Sequence, residues 1–204
     1  TITDAGFTMV MQQIGTCDDE VKCGAVMERE KRLQGIVFLG GRFDYTPADL
    51  AMLNVPFVCC SYSNRYGTLI EGEYSSVSIA DGDTAQQAVE ELYRHGHRRI
   101  AALISRPDDQ SISQLRYEGY VQALESHGIP VDPELVISTG GFGAKDAYRA
   151  VQEKMAENVD FTALFAIADS MAIGAMRALM DAGRRIPEDC SVIAIDGLEL
   201  SAYI

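Results

Sequence analysis

The sequence predicts an α/β protein in which parallel sheets, covered on both faces, are divided between two unequal lobes. Three observations carry this. Short continuous apolar runs, among them GIVFL at Gly35–Leu39, IAALI at Ile100–Ile104 and ALFAI at Ala163–Ile167, read as strands buried on both faces rather than as half-exposed alternating ones. Segments with helix start and stop residues alternate with these runs along the chain, the pattern of parallel α/β architecture. Near Ile79–Ala80 a short strand gives way to a new helix start, dividing the chain into residues 1–79 and 80–204.

The elements follow in order. FTMVMQ at Phe7–Gln12 reads as a strand entered from a helix end capped by Gly6. Asp18 or Asp19 caps a helix over Glu20–Arg32, with Val21, Ala25 and Val26 as its packed face. The strand Gly35–Leu39 follows, then a short helix Pro47–Leu53 with proline in its first turn, then a buried strand Val55–Cys60. Ser61–Ser76 is a polar loop, and Val77–Ile79 a short strand. A helix Thr84–His95 begins after Asp81-Gly82-Asp83 and stops at Gly96. Strand Ile100–Ile104 leads to a helix Ser111–His127, ended by Gly128. Strand Leu135–Ser138 and helix Ala144–Glu157 come next. Strand Ala163–Ile167 then meets Asp169, read as the cap of an Ala-rich helix that Gly183 and Pro187 stop. A last run, Val192–Ile195, ends in Asp196-Gly197.

Composition narrows the function classes. A formal net charge of −13 makes this chain a poor partner for phosphate backbones, so any DNA contact must come from elsewhere. The basic pairs Arg98-Arg99 and Arg184-Arg185 are too small to change that. The five cysteines, Cys17, Cys23, Cys59, Cys60 and Cys190, are odd in number, and two are adjacent in an apolar run. That suits thiols in a reducing, cytoplasmic compartment better than a disulfide framework. Cys17 and Cys23 have no histidine nearby, so no metal site is expected. No apolar run approaches the ~20 residues that span a bilayer. There is no phosphate-binding loop, no dinucleotide fingerprint and no nucleophile elbow, so no cofactor and no catalysis are expected. In an open parallel sheet, ligands bind beyond the carboxyl ends of the strands, which directs attention to the polar residues just after each run.

Several sequence words, in order over nearly the whole chain, resemble the lactose/galactose-repressor family of bacterial transcription regulators. They are LQGIVFLGG (Leu33–Gly41), NVPFV (Asn54–Val58), GHRRIAAL (Gly96–Leu103), LRYEGYVQALESHGI (Leu115–Ile129), FAIADSMAIGAMRAL (Phe165–Leu179) and IPEDCSVIAIDG (Ile186–Gly197). The resemblance implies two Rossmann-like lobes of the periplasmic-binding-protein type, hinged around a small-molecule cleft and preceded in the family by a helix-turn-helix headpiece. Against that pattern this chain reads as an effector-binding core truncated at both ends.

Six residues are candidates for ligand binding. The guanidinium of Arg116, in LRYEGY, is a rigid fork of donors suited to paired hydroxyls or a carboxylate. Asp196 closes a strand, where a carboxylate accepts from hydroxyls. Phe142, in the loop TGGFGAKDAY, offers a flat face to a sugar or nucleobase. The resemblance implies effector contact at the positions of all three. The alternatives are a surface arginine, a helix cap and a loop-anchoring aromatic. Ser61 and Tyr62 follow VPFVCC, and Ser61 stands where the family often has Asp. Ala168 stands where related chains often have Asn, and Asp169 after it reads more as a helix cap than as a ligand contact. Asp81 and Asp83 sit at another helix start, with capping again the simpler reading. His97, in GHRRI, reads as a local structural histidine.

The function implied is effector sensing for a DNA-binding regulator. A small sugar-like metabolite binds between the lobes, and a homodimer conveys the change to operator DNA through a headpiece that this chain lacks. A solute-binding protein of a transporter is the alternative on the same fold, and an enzyme on an open sheet is a third.

Overall fold

The computed structural model describes residues 2–15, 19–70 and 72–204. Two compact units divide it, residues 1–78 and 79–204. Cys17 and Asp18 lie outside the described residues.

The first unit holds a three-stranded parallel sheet, β1 (Ile36–Leu39), β2 (Phe57–Cys60) and β3 (Ser75–Val77), in that spatial order. Helix α1 (Glu20–Lys31) is capped by Asp19, whose carboxylate accepts from the Lys22 amide at 3.0 Å. Helix α2 (Pro47–Leu50), shorter than expected, starts in a capping box between Thr46 and Asp49. α1 lies on the Phe38 side of the sheet: a Cβ on Gly24 would stand 3.0 Å from the Phe38 ring.

Four expectations fail in this unit. Phe7–Gln12 is not a strand; it pairs with no ladder among the described residues, and Phe7, Met9, Val10 and Met11 are exposed. An apolar run becomes a strand only when a neighbour satisfies its amides and carbonyls. β1 is not buried on both faces: Phe38 is buried, whereas Val37 and Leu39 stand 53% and 76% exposed. A helix covers one face, so the run behaves as a one-sided strand despite its uniform composition. Val26 likewise points away from the α1 seam, which Val21, Gly24 and Ala25 form. The strand placed at Val77–Ile79 begins earlier, at Ser75, in what reads as polar loop.

The second unit is a doubly wound sheet. Its strands β4 (Ile100–Ile104), β5 (Val136–Ser138), β6 (Ala163–Ala166) and β7 (Ser191–Ala194) are parallel, in the order β5-β4-β6-β7. Registers such as Ala102↔Val136, Ile100↔Ala163 and Leu164↔Val192 fix the ladder. Helices α3 (Asp81–Arg94) and α4 (Ile112–Ser126) pack on each other, as do α5 (Ala144–Ala156) and α6 (Asp169–Asp181). Every residue of β4 and β6 is buried, as continuous apolar runs demand when both faces are covered. The core is tied through Tyr120, fully buried, whose hydroxyl donates to the Ile100 carbonyl at 2.9 Å. Cys190, the residue just before β7, is buried, and burial pushes its thiol up to about 11, as it does for Cys59 in the first unit.

Two caps differ from expectation. α3 begins at Asp81 rather than at Thr84, and α6 begins at Asp169, with Ala80 and Ala168 as caps that make no side-chain bond. Neither Asp81 nor Asp169 is a cap, because each carboxylate has a tertiary partner instead.

At the amino edge of this sheet, His97 joins the starts of two strands. Its Nδ1 lies 3.0 Å from Thr162 Oγ1 and its Nε2 3.1 Å from Ser191 Oγ. Burial lowers the His97 pKa from its usual value, and the neighbouring His95 adds to this. The folded state therefore favours the neutral ring. Its contribution is complete above the unfolded value of about 6.5 and is lost as pH falls through the lowered folded value. The thermal midpoint is expected to drop between about pH 7.5 and about pH 5, and His97→Gln to flatten part of that slope. An unchanged slope in the variant would remove His97 as its source.

Candidate functional site

The strand order of the second unit places a topological switch point beside β4: the chain leaves β4 for β5 on one side and returns to β6 on the other. Ligands in open α/β sheets bind outside the carboxyl ends at such a point. The segments that emerge there carry Arg116, Phe142, Asp169 and Asp196.

Arg116 is the centre. It lies on the second turn of α4, which is held by Ser111 as N-cap. Its residue exposure is only 5%, against the surface arginine that a helical position alone suggests. Nε donates to Asp81 Oδ1 at 2.8 Å, and Asp81 is equally buried. Nη1 donates to the carbonyl of Ile167, just past β6, and reaches Asp196 Oδ1 at 3.4 Å. Three of the five guanidinium N–H groups are thus committed within the fold, which leaves two. Asp81 is the residue that sequence reasoning undervalued. It stands 35 positions from Arg116, and no local signal distinguishes an ion-pair carboxylate from one that serves the helix dipole.

Asp196 follows β7 with φ at +129°, a conformation that non-glycine residues rarely take. Its carboxylate is 37% exposed. Such strain concentrates at binding sites, where the surrounding structure over-determines one residue. Asp169 is inward: Oδ2 accepts from the Leu198 amide at 2.7 Å and from Ser201 Oγ at 2.6 Å, and its own amide donates to the Ile195 carbonyl at 2.9 Å. It thereby fixes the chain on both sides of Asp196. Phe142 is 39% exposed, and its carbonyl accepts from Ser170 Oγ at 2.7 Å, which anchors the β5–α5 loop to α6.

In the first unit, Ser61 follows β2 with φ at +52°, its amide bound to the Val77 carbonyl at 2.9 Å and its side chain exposed. Tyr62 is 3% exposed. Its ring packs edge-on to Phe43 and Tyr74 and stacks on Tyr45, with its hydroxyl 3.1 Å from Asn64 Oδ1. Burial raises its phenol well above the usual range. In this geometry Tyr62 is part of an aromatic core that supports Ser61. Among the described residues no set of three or more His, Cys, Asp or Glu side chains is arranged to hold a metal ion. No described helix is long and apolar enough to cross a membrane.

Residues 89–204 match the profile of a periplasmic binding protein-like domain. The chain belongs to that family. Proteins similar to this chain include transcription regulators, among them a solved member of the LacI family. The regulator MalR of Clostridium butyricum is 35% identical over 99% of this chain and 60% of its own length. The repressor CytR of Escherichia coli K12 is 32% identical over 85% of this chain and 49% of its own. Among solved structures, the regulator CelR in complex with cellobiose superposes with a TM-score of 0.77 at 30% identity, over 96% of this chain and 58% of that one. A sugar-binding LacI-family regulator of Escherichia coli complexed with phosphate gives 0.75 at 28% identity, over 91% of this chain and 65% of that one. The chain thus spans three-fifths or less of the curated relatives named here.

Proposed function

We propose that this chain is the effector-sensing core of a cytoplasmic DNA-binding transcription regulator, whose signal is a small sugar-like metabolite. Residues 1–79 and 80–204 are then the amino- and carboxyl-terminal lobes of that core. The observation that carries the reading is the Arg116–Asp196 arrangement: a fixed donor fork beside a strained, part-exposed carboxylate at the switch point of a parallel sheet. Donor and acceptor side by side match the two-way hydrogen bonding of a hydroxyl pair. In this scheme Arg116 and Asp196 touch the ligand, Asp169 positions Asp196, and Phe142 offers an apolar face. Ser61 presents a hydroxyl at the carboxyl edge of its own sheet, and Tyr62 holds that turn. Operator DNA is contacted through a headpiece outside this acidic chain, in a homodimer. Relatives that are regulators favour this over a transporter's solute-binding protein. No residue is assigned a catalytic role.

The test is thermal shift of the full-length protein against mono- and disaccharides, sugar phosphates and nucleobases. A ligand at 100 times its Kd stabilises by about 2.7 kcal/mol. Asp196→Gly separates binding from folding. Glycine tolerates φ of +129°, so stability is expected to hold or rise, while loss of a charged hydrogen bond of about 1.5–3 kcal/mol weakens binding roughly 10- to 100-fold. A compound panel that gives no shift at all, or a ligand held equally well by the variant, would sink the assignment.

A further inference from the structure

The charge balance at the carboxyl edge of the second sheet says more about the ligand than its hydroxyl chemistry does. We propose that this edge selects an uncharged polyhydroxyl ligand and turns away the phosphorylated form of the same compound; the inference rests on the sensor reading above.

A phosphate site in an α/β sheet uses free helix N-termini and uncommitted cations. In this unit both are already answered. α3 begins with Asp81 and carries Asp83, α6 begins with Asp169, and α5 carries Asp146 in its first turn. α4 lacks an acid in its first turn, but its N-cap Ser111 donates to Asp109. The buried cation, Arg116, is paired with Asp81 at 2.8 Å and with Asp196 at 3.4 Å. One guanidinium therefore faces two carboxylates, with Asp169 a third at the same edge. The remaining cations of these segments, Arg106 and Lys145, are exposed, and each is followed within three residues by aspartate. A dianion brought beside Asp196 meets net negative charge, whereas a neutral hydroxyl donates to Asp196 and accepts from the free N–H groups of Arg116.

The experiment is isothermal titration of the full-length protein with matched pairs: cellobiose and its 6-phosphate, maltose and its 6′-phosphate, cytidine and cytidine 5′-monophosphate. For the pair that binds, the neutral member is expected to bind at least about tenfold tighter. Asp196→Asn, which keeps an acceptor and removes the charge, is expected to narrow that gap, and so is raising the salt from about 0.02 M to about 0.5 M, because screening weakens repulsion. A phosphorylated member that binds as tightly or more tightly overturns the proposal. A gap untouched by both Asp196→Asn and salt overturns it too, since exclusion would then be steric. If no member of any pair binds, the sensor reading fails with it, an outcome distinct from tight phosphate binding.

Discussion

Arg116→Ala is expected to lower the stability of the second unit by about 3–5 kcal/mol, the usual cost of stripping one partner from a buried ion pair. Asp81, only 5% exposed beside it, would keep a charge with no counterion, and the Ile167 carbonyl would lose its donor. Domains are stable by only about 5–15 kcal/mol in total. The loss consumes a large share of that, and the thermal midpoint should fall by about ten degrees or more at about 2–8 °C per kcal/mol. The double substitution Arg116→Met with Asp81→Leu removes both charges and is expected to recover most of the loss, because the penalty lies in the orphaned carboxylate. Chemical denaturation of the two variants measures this. If the single variant loses under about 1 kcal/mol, or the double variant is as poor as the single, the ion pair is not what holds α4 to α3. The consequence for function is direct. Lost ligand binding in Arg116→Ala does not locate the site, since the fold around it is altered, which is why Asp196, exposed and replaceable by glycine, is the better probe.

The second unit was legible in the sequence because its burial matches its composition. Runs such as IAALI and ALFA are apolar throughout and buried throughout, and Gly96, Gly128 and Gly183, each with positive φ, mark where three of the helices stop. The first unit was not, because one-sided burial leaves no mark in a uniformly apolar run: IVFL reads like IAALI, yet only Phe38 is buried. Phe7–Gln12 has the composition of a strand but joins no ladder among the described residues. Strand identity is a property of the neighbour as much as of the segment.

The candidate site was legible as residue types and not as geometry. Asp169 and Asp81 both open a helix, and a helix start invites the capping explanation. Their partners, Leu198 with Ser201 and Arg116, lie 29 or more positions away, beyond any local signal. The strain at Asp196 was equally invisible, because Asp-Gly after a strand reads as an ordinary turn. Sequence words carried the family; tertiary pairing decided that Arg116 is as much a structural anchor as a donor.

Gly174→Ala is the other large expected effect, and its sign is the informative part. In an exposed helix interior, glycine costs about 1 kcal/mol relative to alanine, so propensity alone predicts a more stable α6. The structure predicts the reverse. A Cβ on Gly174 would collide with the Ala144 carbonyl oxygen, and would lie 2.8 Å from its carbonyl carbon and 3.0 Å from its Cα. These are backbone atoms at the first turn of α5, so no side-chain rotamer relieves the contact; α5 must move away from α6. Overpacking of a tight core costs about 1–3 kcal/mol, and a rigid obstacle puts this case at the upper end. The displaced turn also adjoins the loop that carries Phe142, whose carbonyl is held by Ser170 on α6. Gly174→Ala is therefore expected to destabilise the unit by about 3 kcal/mol and to weaken ligand binding in the surviving folded fraction. Gly119 supplies a comparison on the other seam. Its Cβ would strike the Gly82 carbonyl and lie 2.9 Å from Ala85 Cβ, so Gly119→Ala should destabilise through the α3–α4 seam; that seam carries the Asp81–Arg116 pair, so any binding loss there runs through Arg116 and not through the Phe142 loop. Denaturation and titration of both variants decide the matter. A Gly174→Ala protein as stable as the parent would show that α5 and α6 are not in contact at this point, and unchanged ligand binding by the folded Gly174→Ala protein would break the link between that contact and the loop.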